Sequence, residues 1–502
     1  MIFTDLNTTP PPTSQPPTTP PPTSQLADPK YSDLGNAERL VGRYGDQLRY
    51  VPEWGWCVWD GARWAKDETR QVMERAKEMV RGLRQDAANT SDSAHRNDLW
   101  RHAVRSEAKA RLEAMIDLAQ SDPAIVRRAE AFDSDPFLLN VANGTIDLRT
   151  GELRPHDPAD HITKLCPVAY DPEARSGLLG RFLLDVFRRD KTLICYMQRA
   201  IGYSLTGSVR EPAYFIPWGS GRNGKSTLFN AVEAMLGGYA ASTPIQTFER
   251  KQFSGGATND LAALVGARFI MASESEQNRT LDISLVKRWT GGDKITARFL
   301  NKEFFSYLPQ GKAWMPTNNK PTIPETSPAV WQRVKLIPFT ESFVGREDVA
   351  MPSKLASEEV QRALLAWAVR GCRDWLAGGL QDPEVVRDAT QAYQAEEDEL
   401  AGFFEEHCVF GPTLAVQSSR LYEVYSDWAK ENRIQAVSST KFAPLMTGYP
   451  AHTISKGKAT SGPHNHRMVF KGIGVATDER RRAEQASASG SQPDDQPQEI
   501  PF

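Results

Sequence analysis

Residues 213–227 read Ala-Tyr-Phe-Ile-Pro-Trp-Gly-Ser-Gly-Arg-Asn-Gly-Lys-Ser-Thr, and this stretch decides the fold of the chain. From Gly219 to Ser226 it completes the pattern G-x-x-x-x-G-K-[ST], in which the amides of a glycine-rich loop surround phosphate groups. The apolar, aromatic run before the loop is typical of a buried strand. Apolar residues at helical spacing follow the loop until Gly237 and Gly238. This strand–loop–helix unit predicts a nucleoside triphosphate site.

The side chains of the loop indicate how the phosphates would be held. Lys225 would reach the β- and γ-phosphates, and the Ser226 hydroxyl would bind Mg²⁺. The helix that starts here adds the positive end of its dipole. A glycine-rich surface turn is the alternative interpretation. With ATP and Mg²⁺ as cofactors, the predicted binding residues are Gly219, Gly221, Asn223, Gly224, Lys225, Ser226 and Thr227.

The composition is typical of a globular protein. The chain has 502 residues, of which 40% are hydrophobic and 25% are charged, and its net charge of −3 does not by itself indicate nucleic acid. No run approaches the roughly 18 apolar residues that span a membrane. The N-terminus lacks the pattern of a signal peptide. Five scattered cysteines indicate reduced thiols, so we expect a cytoplasmic protein.

Changes in composition and hydrophobic pattern along the chain predict several domains. The fold class is α/β, with a P-loop ATPase core built on parallel strands and smaller domains on either side. The predicted order is a Pro/Thr-rich disordered tail over 1–30, an α+β domain over 31–175, the ATPase domain over 176–345, a helical segment over 346–400, a winged-helix-like domain over 401–476 and a disordered tail over 477–502.

A cluster of tryptophans opens the first of these domains. Trp54, Trp56, Trp59 and Trp64 surround an Asp-Gly turn, which predicts a β-hairpin. Aromatic side chains of this kind can stack on the bases of a single strand, but a small hydrophobic core is the commoner use. Two helical stretches, over about 69–88 and 99–120, are predicted to follow.

A basic stretch lies near the other end of the chain. Between Arg433 and Thr477 there is no acidic residue, although the whole chain is slightly acidic. Such a surface could face the phosphates of DNA; a solvated basic face without a partner is the alternative. The candidate contacts are Lys441, Lys456, Lys458 and Arg467.

A phosphate loop that hydrolyses ATP needs polar partners on neighbouring strands. An apolar run that begins at Arg268 leads into Glu274, which we predict polarises the attacking water and contributes to the Mg²⁺ site, with Glu276 as the alternative. Asn318 follows another apolar run and could bond the γ-phosphate and the water. Arg333 could reach the nucleotide of a neighbouring subunit as an arginine finger.

Taken together, these motifs resemble the superfamily 3 DNA helicases, in particular the phage and plasmid primase–helicase family that includes the poxvirus primase–helicase. The resemblance covers about residues 35–475. The motifs that carry it are Leu-Leu-Asn-Val-Ala-Asn-Gly-Thr-Ile-Asp-Leu (138–148), Gln-Arg-Ala-Ile-Gly-Tyr-Ser-Leu-Thr-Gly (198–207), the phosphate loop, Lys-Arg-Trp-Thr-Gly-Gly-Asp (287–293), Thr-Asn-Asn-Lys-Pro (317–321) and Trp-Gln-Arg (331–333).

The resemblance implies an AAA+-like ATPase that forms a ring, usually a homo-hexamer, moves 3′→5′ on single-stranded DNA and unwinds duplex. By position it places Lys225 and Ser226 in the nucleotide loop, Glu274 as the catalytic carboxylate, Asn318 as the sensor and Arg333 as the finger. The host implied is a bacterium, with the protein in its cytoplasm. The expected partners are single-stranded and forked DNA and, in replication, a separate primase or other replication proteins.

The family also has a β-hairpin that projects into the ring channel, and residues 298–303 fall in its place. Arg298 and Lys302 are the candidate DNA contacts there. The alternative for Lys302 is an ordinary exposed lysine, and the alternative for Arg298 is contact with the nucleotide across the subunit interface. Many members carry a primase module ahead of the helicase, but only some 30 residues precede the first domain here, so we expect none. Other functions stay open: an origin-binding initiator, a primase–helicase that makes primers, and a clamp or packaging motor.

Overall fold

The computed structural model describes residues 31–250, 258–273, 279–300, 302–325, 327–398, 400–432, 436–449, 452–460 and 464–480. The chain forms two compact units. The first comprises Met1–Asp60 and Trp64–Phe132, and the second comprises Gly61–Arg63 and Asp133–Phe502. In the described part of the chain, no helix has both the length and the apolar character needed to cross a membrane. The finer division into six segments stays a prediction.

The first unit combines a small antiparallel sheet with helices. Trp64 is buried beside Cys57 and Phe132, whereas Trp54, Trp56 and Trp59 are half-buried. The cluster therefore builds a small core in part and leaves some indole surface exposed. In the described residues of this unit, the elements are α1 (Asp33–Tyr44), β1 (Leu48–Val51), β2 (Gly55–Trp59), β3 (Trp64–Lys66), α2 (Gln71–Asn89), α3 (Ser93–Ser106) and α4 (Lys109–Ala119), with sheet order β1-β2-β3.

The second unit contains a three-stranded antiparallel sheet and then the parallel sheet that positions the site. The strands are β4 (Leu138–Val141), β5 (Gly144–Asp147), β6 (Glu152–Arg154), β7 (Tyr214–Trp218), β8 (Ala240–Pro244), β9 (Phe269–Ser273), β10 (Ile295–Ala297), β11 (Phe305–Tyr307), β12 (Lys312–Trp314) and β13 (Val334–Pro338). The helices are α5 (Gly177–Val186), α6 (Lys191–Ser204), α7 (Lys225–Leu236), α8 (Asn259–Ala263), α9 (Ile283–Gly291), α10 (Pro328–Trp331), α11 (Met351–Leu355), α12 (Glu358–Gly378) and α13 (Glu384–Glu396).

The parallel sheet has the strand order β13-β7-β12-β9-β8. Its inner strands are nearly continuous apolar runs because helices cover both faces of such a sheet. Phe215 of β7 stacks on Trp314 of β12 at a ring-centroid distance of 4.2 Å, and Phe229 of α7 packs against Trp314 at 5.2 Å. These contacts fix α7, and with it the loop that precedes it, on the sheet. The α/β class with a parallel sheet is thereby confirmed.

The C-terminal part of the second unit is an antiparallel sheet with helices packed on it. Its elements are α14 (Ala401–His407), β14 (Cys408–Gln417), α15 (Ser418–Glu431), α16 (Ser439–Thr447), β15 (Ser455–Lys458) and β16 (Met468–Val475), in the sheet order β14-β16-β15. Aromatic side chains dominate the core of this part. They include Phe403, Tyr425, Trp428, Phe442 and Phe470.

Candidate functional site

The predicted phosphate loop lies between the carboxyl end of β7 and the start of α7. Gly224 caps the helix with φ +84° and ψ −4°, a left-handed conformation that glycine adopts without steric cost. A Cβ atom at this position would lie 2.6 Å from the side chain of Val186. Both the backbone conformation and the close approach of Val186 therefore require glycine here.

The main-chain N–H groups of the loop are arranged so that they can bind an anion. Among the residues that the structure describes, no group accepts a hydrogen bond from the N–H of Ser220, Gly221, Arg222, Asn223 or Gly224. A run of amides without internal acceptors before a helix N-terminus is the arrangement that binds phosphate in proteins. The Ser226 side chain is exposed in the first turn of α7, and that of Thr227 is half-buried. The loop therefore fits a phosphate group.

The side chain of Lys225 joins the loop to a neighbouring strand. Lys225 is buried, with a relative exposure of 5%, and its ammonium donates to the carbonyl of Gly219 at 2.5 Å. It also donates to Oδ1 of Asn318 at 3.0 Å. The structure thus brings together the lysine and the asparagine that the sequence singled out 93 residues apart.

The strand order explains why Asn318 lies at the loop. Because β12 is the parallel neighbour of β7, the carboxyl ends of the two strands meet at one edge of the sheet. The amide of Thr317 donates to the carbonyl of Pro217 at 2.9 Å, and the amide of Gly219 donates to the carbonyl of Thr317 at 3.3 Å. Thr317 therefore sets the position of Asn318 relative to the loop.

The loop is also tied to β13. Asn223 donates through Nδ2 to the carbonyl of Phe339 at 3.2 Å, and its Oδ1 accepts from the amide of Lys225 at 3.4 Å. Arg222 has a positive φ of 60° and forms an ion pair with Glu347 at 2.7 Å. Sequence analysis did not identify Phe339 or Glu347, since no motif marks either of them. Their position at and beyond the end of the strand next to β7 was the only available signal.

The predicted catalytic carboxylates follow the apolar run of β9 in the sequence. Glu274 and Glu276 lie outside the described residues. The strand before them, β9, pairs with β12 and ends at Ser273 on the same edge of the sheet as the loop. Their assignment as the water-polarising and Mg²⁺-binding residues stays a prediction.

Arg333 lies at the amino-terminal end of the parallel strands, whereas the phosphate loop lies at their carboxyl end. It directly precedes β13, and its carbonyl accepts from the amide of Tyr214 at 2.7 Å, at the start of β7. Gly219 is five residues further along, which is about 17 Å at the rise of a strand. The structure therefore does not bring Arg333 to the phosphate loop of its own chain.

The predicted hairpin is formed by β10 and β11, which pair antiparallel with Ile295 opposite Tyr307. At its tip the guanidinium of Arg298 lies 4.6 Å from the ring centroid of Phe304, and Lys302 is exposed. The tip also exposes Leu300, with a relative exposure of 65%. A hairpin is present where the sequence placed one, and the DNA contacts assigned to it stay predictions.

The four candidate DNA contacts of the C-terminal part, Lys441, Lys456, Lys458 and Arg467, are all exposed. Lys456 and Lys458 are two residues apart on β15 and so share one face of the strand. Arg467 precedes β16, next to the pairing of Lys458 with Met468, and donates to Gln417 at 2.9 Å. Lys441 lies apart from them on α16. Three of the four candidates thus gather at one end of the β15–β16 pair.

The contact between Asn318 and Lys225 leads to a first prediction. Asn318→Ala should lower ATP turnover by about 100-fold, the usual cost of removing one preorganised donor or acceptor at a reacting phosphate or carbonyl. ATP binding should change much less, because the loop amides and Lys225 remain. Steady-state hydrolysis and equilibrium binding of a fluorescent ATP analogue would separate the two effects. Asn230→Ala, on the exposed face of α7, is the control. Equal losses from both variants would contradict a special role for Asn318.

Comparisons with known families match two parts of the chain. Residues 37–188 match the family described as D5 N terminal like, and residues 218–333 match a family of unknown function, DUF5906. The second range begins one residue before Gly219 and ends at Arg333. It therefore contains every residue to which the sequence assigned a nucleotide-binding or catalytic role.

Curated relatives of the chain include two proteins of viruses. "Putative helicase L207/L206" of Acanthamoeba polyphaga mimivirus is 26% identical over an alignment of 392 residues that covers 73% of this chain and 39% of that protein. "Putative helicase 022R" of Frog virus 3 (isolate Goorha) is 26% identical over an alignment of 390 residues that covers 60% of this chain and 40% of that protein. The chain thus spans about two fifths of the length of these relatives.

Among solved structures, the A form apo structure of the NrS-1 C-terminal region aligns with 88% of this chain and 100% of that one. The TM-score is 0.43 and the sequence identity is 10%. A similarity of this size does not define the fold, so the family relationship depends on the sequence matches.

Proposed function

We propose that this chain, a member of the phage and viral superfamily 3 helicases related to primase–helicases, is an ATP-dependent DNA helicase that acts in replication. The family is the one that the sequence motifs resemble, and the matches confirm that resemblance. The observation that carries the proposed activity is the contact of Lys225 with Gly219 and Asn318, beside a loop whose amides have no acceptor among the described residues.

These residues account for nucleotide binding. The loop amides would surround the β-phosphate of ATP, and Lys225 would reach the β- and γ-phosphates. Ser226 would supply a hydroxyl ligand to Mg²⁺, an ion that neutralises the charge on the phosphates during transfer. Asn318, which already touches Lys225, would hold the attacking water or the γ-phosphate. Glu274 would accept the proton of that water.

Two exposed surfaces account for DNA binding. Lys302 and Arg298 on the β10–β11 hairpin would contact the backbone of a single strand, without sequence preference because phosphate contacts carry no sequence information. Lys456, Lys458 and Arg467 would contact duplex DNA at the fork. The hairpin suits a role in translocation because it belongs to the same compact unit as the nucleotide loop and exposes Phe299, Leu300 and Phe304 at its tip.

The position of Arg333 supports a ring of identical subunits. The length of β7, about 17 Å, separates this arginine from the loop of its own chain. It would therefore complete the nucleotide site of a neighbouring copy. Each site would then require two subunits, and hydrolysis would be coupled around the ring. A homo-hexamer is the assembly that we propose, in the cytoplasm of the bacterial host of a phage or other mobile element.

Strand separation on a forked duplex tests the proposed function. With ATP and Mg²⁺, the intact chain should release the labelled strand of a fork with a 3′ single-stranded arm. A fork with only a 5′ arm should not be unwound, because movement is proposed to run 3′→5′. A fork incubated with a non-hydrolysable ATP analogue serves as the control. Absence of unwinding on every fork, despite DNA-stimulated hydrolysis, would contradict the helicase assignment.

One observation favours an origin-binding initiator as the second candidate. The exposed basic residues Lys456, Lys458 and Arg467 lie on a separate antiparallel sheet, where they could engage duplex rather than single-stranded DNA. An initiator would bind one duplex sequence at least about 1,000-fold more tightly than random duplex, as specific DNA-binding proteins do. A helicase would show no such ratio. Competition between random duplexes and duplexes from the genome that encodes the chain would decide between them.

A further inference from the structure

A cavity of about 730 Å³ opens in the first unit between β2 and helices α2 and α4. Trp54 and Trp56 line one side of it, and Met73 and Ile116 contribute apolar surface. Both indoles are half-buried, so each still presents ring surface. Trp54 is held against Phe132 at a ring-centroid distance of 5.3 Å, and Trp56 against Tyr50 at 5.4 Å. The aromatic wall is therefore fixed by packing rather than by a ligand.

The charges around the cavity disfavour nucleic acid. Asp67 accepts from the amides of Gln71 and Val72 at 2.7 and 2.9 Å and thereby caps the start of α2. The ammonium of Lys66 lies 5.5 Å from the ring centroid of Trp54. The acidic residues outnumber the basic ones, so a phosphate backbone would be repelled while an uncharged ligand would not. The charged lining residues are Lys66, Arg70, Asp67, Glu68, Glu113 and Asp117.

The chain contains an uncharged segment that suits such a wall. Residues 6–27 carry no charged side chain, and eight of residues 10–22 are prolines. Proline-rich segments adopt the polyproline II helix at a low entropic cost and bind in grooves lined by aromatic rings. The indole N–H of Trp56 is buried and makes no hydrogen bond among the described residues, so a carbonyl of the docked segment could accept from it after a small rotation of the ring.

The described chain begins near the helix that lines the cavity. The described chain starts at Tyr31, and Asp33 forms an ion pair at 2.5 Å with Arg111 in the first turn of α4, the helix that lines the cavity. From Tyr31 back to Pro22 is nine residues, about 28 Å in the polyproline II conformation. The distance along α4 from Arg111 to Gln120 is about 14 Å. The proline tract can therefore reach the whole length of the cavity.

We propose that a stretch of the Pro/Thr tract of residues 8–25 docks as a polyproline II helix in this tryptophan cavity of its own chain. The tract then acts as an intramolecular ligand of the first unit. A proline-rich segment of another protein would have to displace it. The cavity is thus a recognition site for proline-rich peptides, regulated by the tail that precedes it.

The test uses the full chain with the eight prolines of residues 10–22 changed to alanine, and a fluorescent peptide with the natural sequence 8–25 as probe. Fluorescence anisotropy should show saturable binding to this variant with a Kd below about 0.1 mM. The unaltered chain should bind the peptide at least about 10-fold more weakly, because its tethered tract competes at millimolar effective concentration. A peptide with alanine at every proline should not bind.

Substitutions in the cavity locate the binding. In the proline-free variant, Trp54→Ala should weaken peptide binding at least about 10-fold, whereas Trp100→Ala, an exposed tryptophan on α3 outside the cavity, should not. Ala114→Arg is a second variant that keeps the test decisive even if Trp54→Ala disturbs the fold. It fills the cavity from α4 without removing an aromatic ring, and it should abolish peptide binding. The proposal is overturned if the natural peptide fails to bind. It is equally overturned if Ala114→Arg has no effect, or if oligo-dT rather than the peptide binds at Trp54.

Discussion

Lys225→Ala should lower ATP turnover by at least about 100-fold and abolish unwinding, with the secondary structure unchanged. The physical reason is the position of the ammonium. It is buried, and it lies between the carbonyl of Gly219 and Oδ1 of Asn318. A cation fixed at this place stabilises the charge that develops on the transferred phosphate without any reorganisation. Steady-state hydrolysis with and without single-stranded DNA measures the loss, and the fork assay measures unwinding.

The controls separate loss of chemistry from loss of structure. Lys225→Met keeps most of the side-chain volume in the buried position while removing the charge, so it should lose as much activity as Lys225→Ala. Lys354→Ala removes an exposed lysine that pairs with Asp348 and should retain full activity. Far-ultraviolet circular dichroism and thermal unfolding check each variant. Substantial turnover by Lys225→Met would remove the phosphate-loop assignment.

Sequence patterns could predict the core of the site because the relevant signals are local. The run that ends at Trp218 is a strand, and the helix ends at Leu236, just before the two glycines that predicted its end. An apolar run bounded by a glycine-rich loop and a helix of regular periodicity leaves few other local structures. The hairpin over β10 and β11 was placed by resemblance to a family, and periodicity alone would have missed it.

The spatial relations between strands could not be predicted from the residues. Asn318 contacts Lys225 because β12 lies next to β7 in the sheet. Apolar runs in a sequence predict strands but do not indicate which strands are neighbours. One helical boundary was also wrong. The stretch over 99–120 is two helices, α3 and α4, which are separated at Ala108, whose ψ is 135°. No glycine or proline marks that break, so helix periodicity gave no sign of it.

Arg333→Ala should reduce ATP turnover by about 1,000-fold, within the range found when an arginine finger is removed, while ATP binding persists. The side chain is half-buried, and Nη1 donates to the carbonyl of Ala329. Its Nε makes no hydrogen bond among the described residues, and none of their carboxylates pairs with it. An arginine without an acidic partner at the edge of a domain retains its capacity to bind a phosphate across an interface. Arg387→Ala, an exposed arginine that also donates to a nearby carbonyl, is the matched control.

Mixing variants shows whether Arg333 acts on a neighbouring subunit. Neither Lys225→Ala nor Arg333→Ala subunits should hydrolyse ATP in homogeneous rings. In a mixed ring, an Arg333→Ala subunit keeps an intact loop and can receive the arginine of an adjacent Lys225→Ala subunit. Such an interface contains all the residues of one complete site. Turnover should therefore rise well above that of either variant alone and pass through a maximum as the mixing ratio changes.

The mixing experiment would give a different result if Arg333 acted within its own subunit. If Arg333 acted on its own nucleotide, every subunit in the mixture would lack either the lysine or the arginine, and no ratio would restore activity. The strand register opposes that outcome, because Arg333 precedes β13 at the start of β7 whereas the loop follows the end of β7. Restoration by mixing would make hydrolysis a property of the interface between two copies. Activity should then vanish on dilution below the concentration at which the ring dissociates, even though each chain retains its whole phosphate loop.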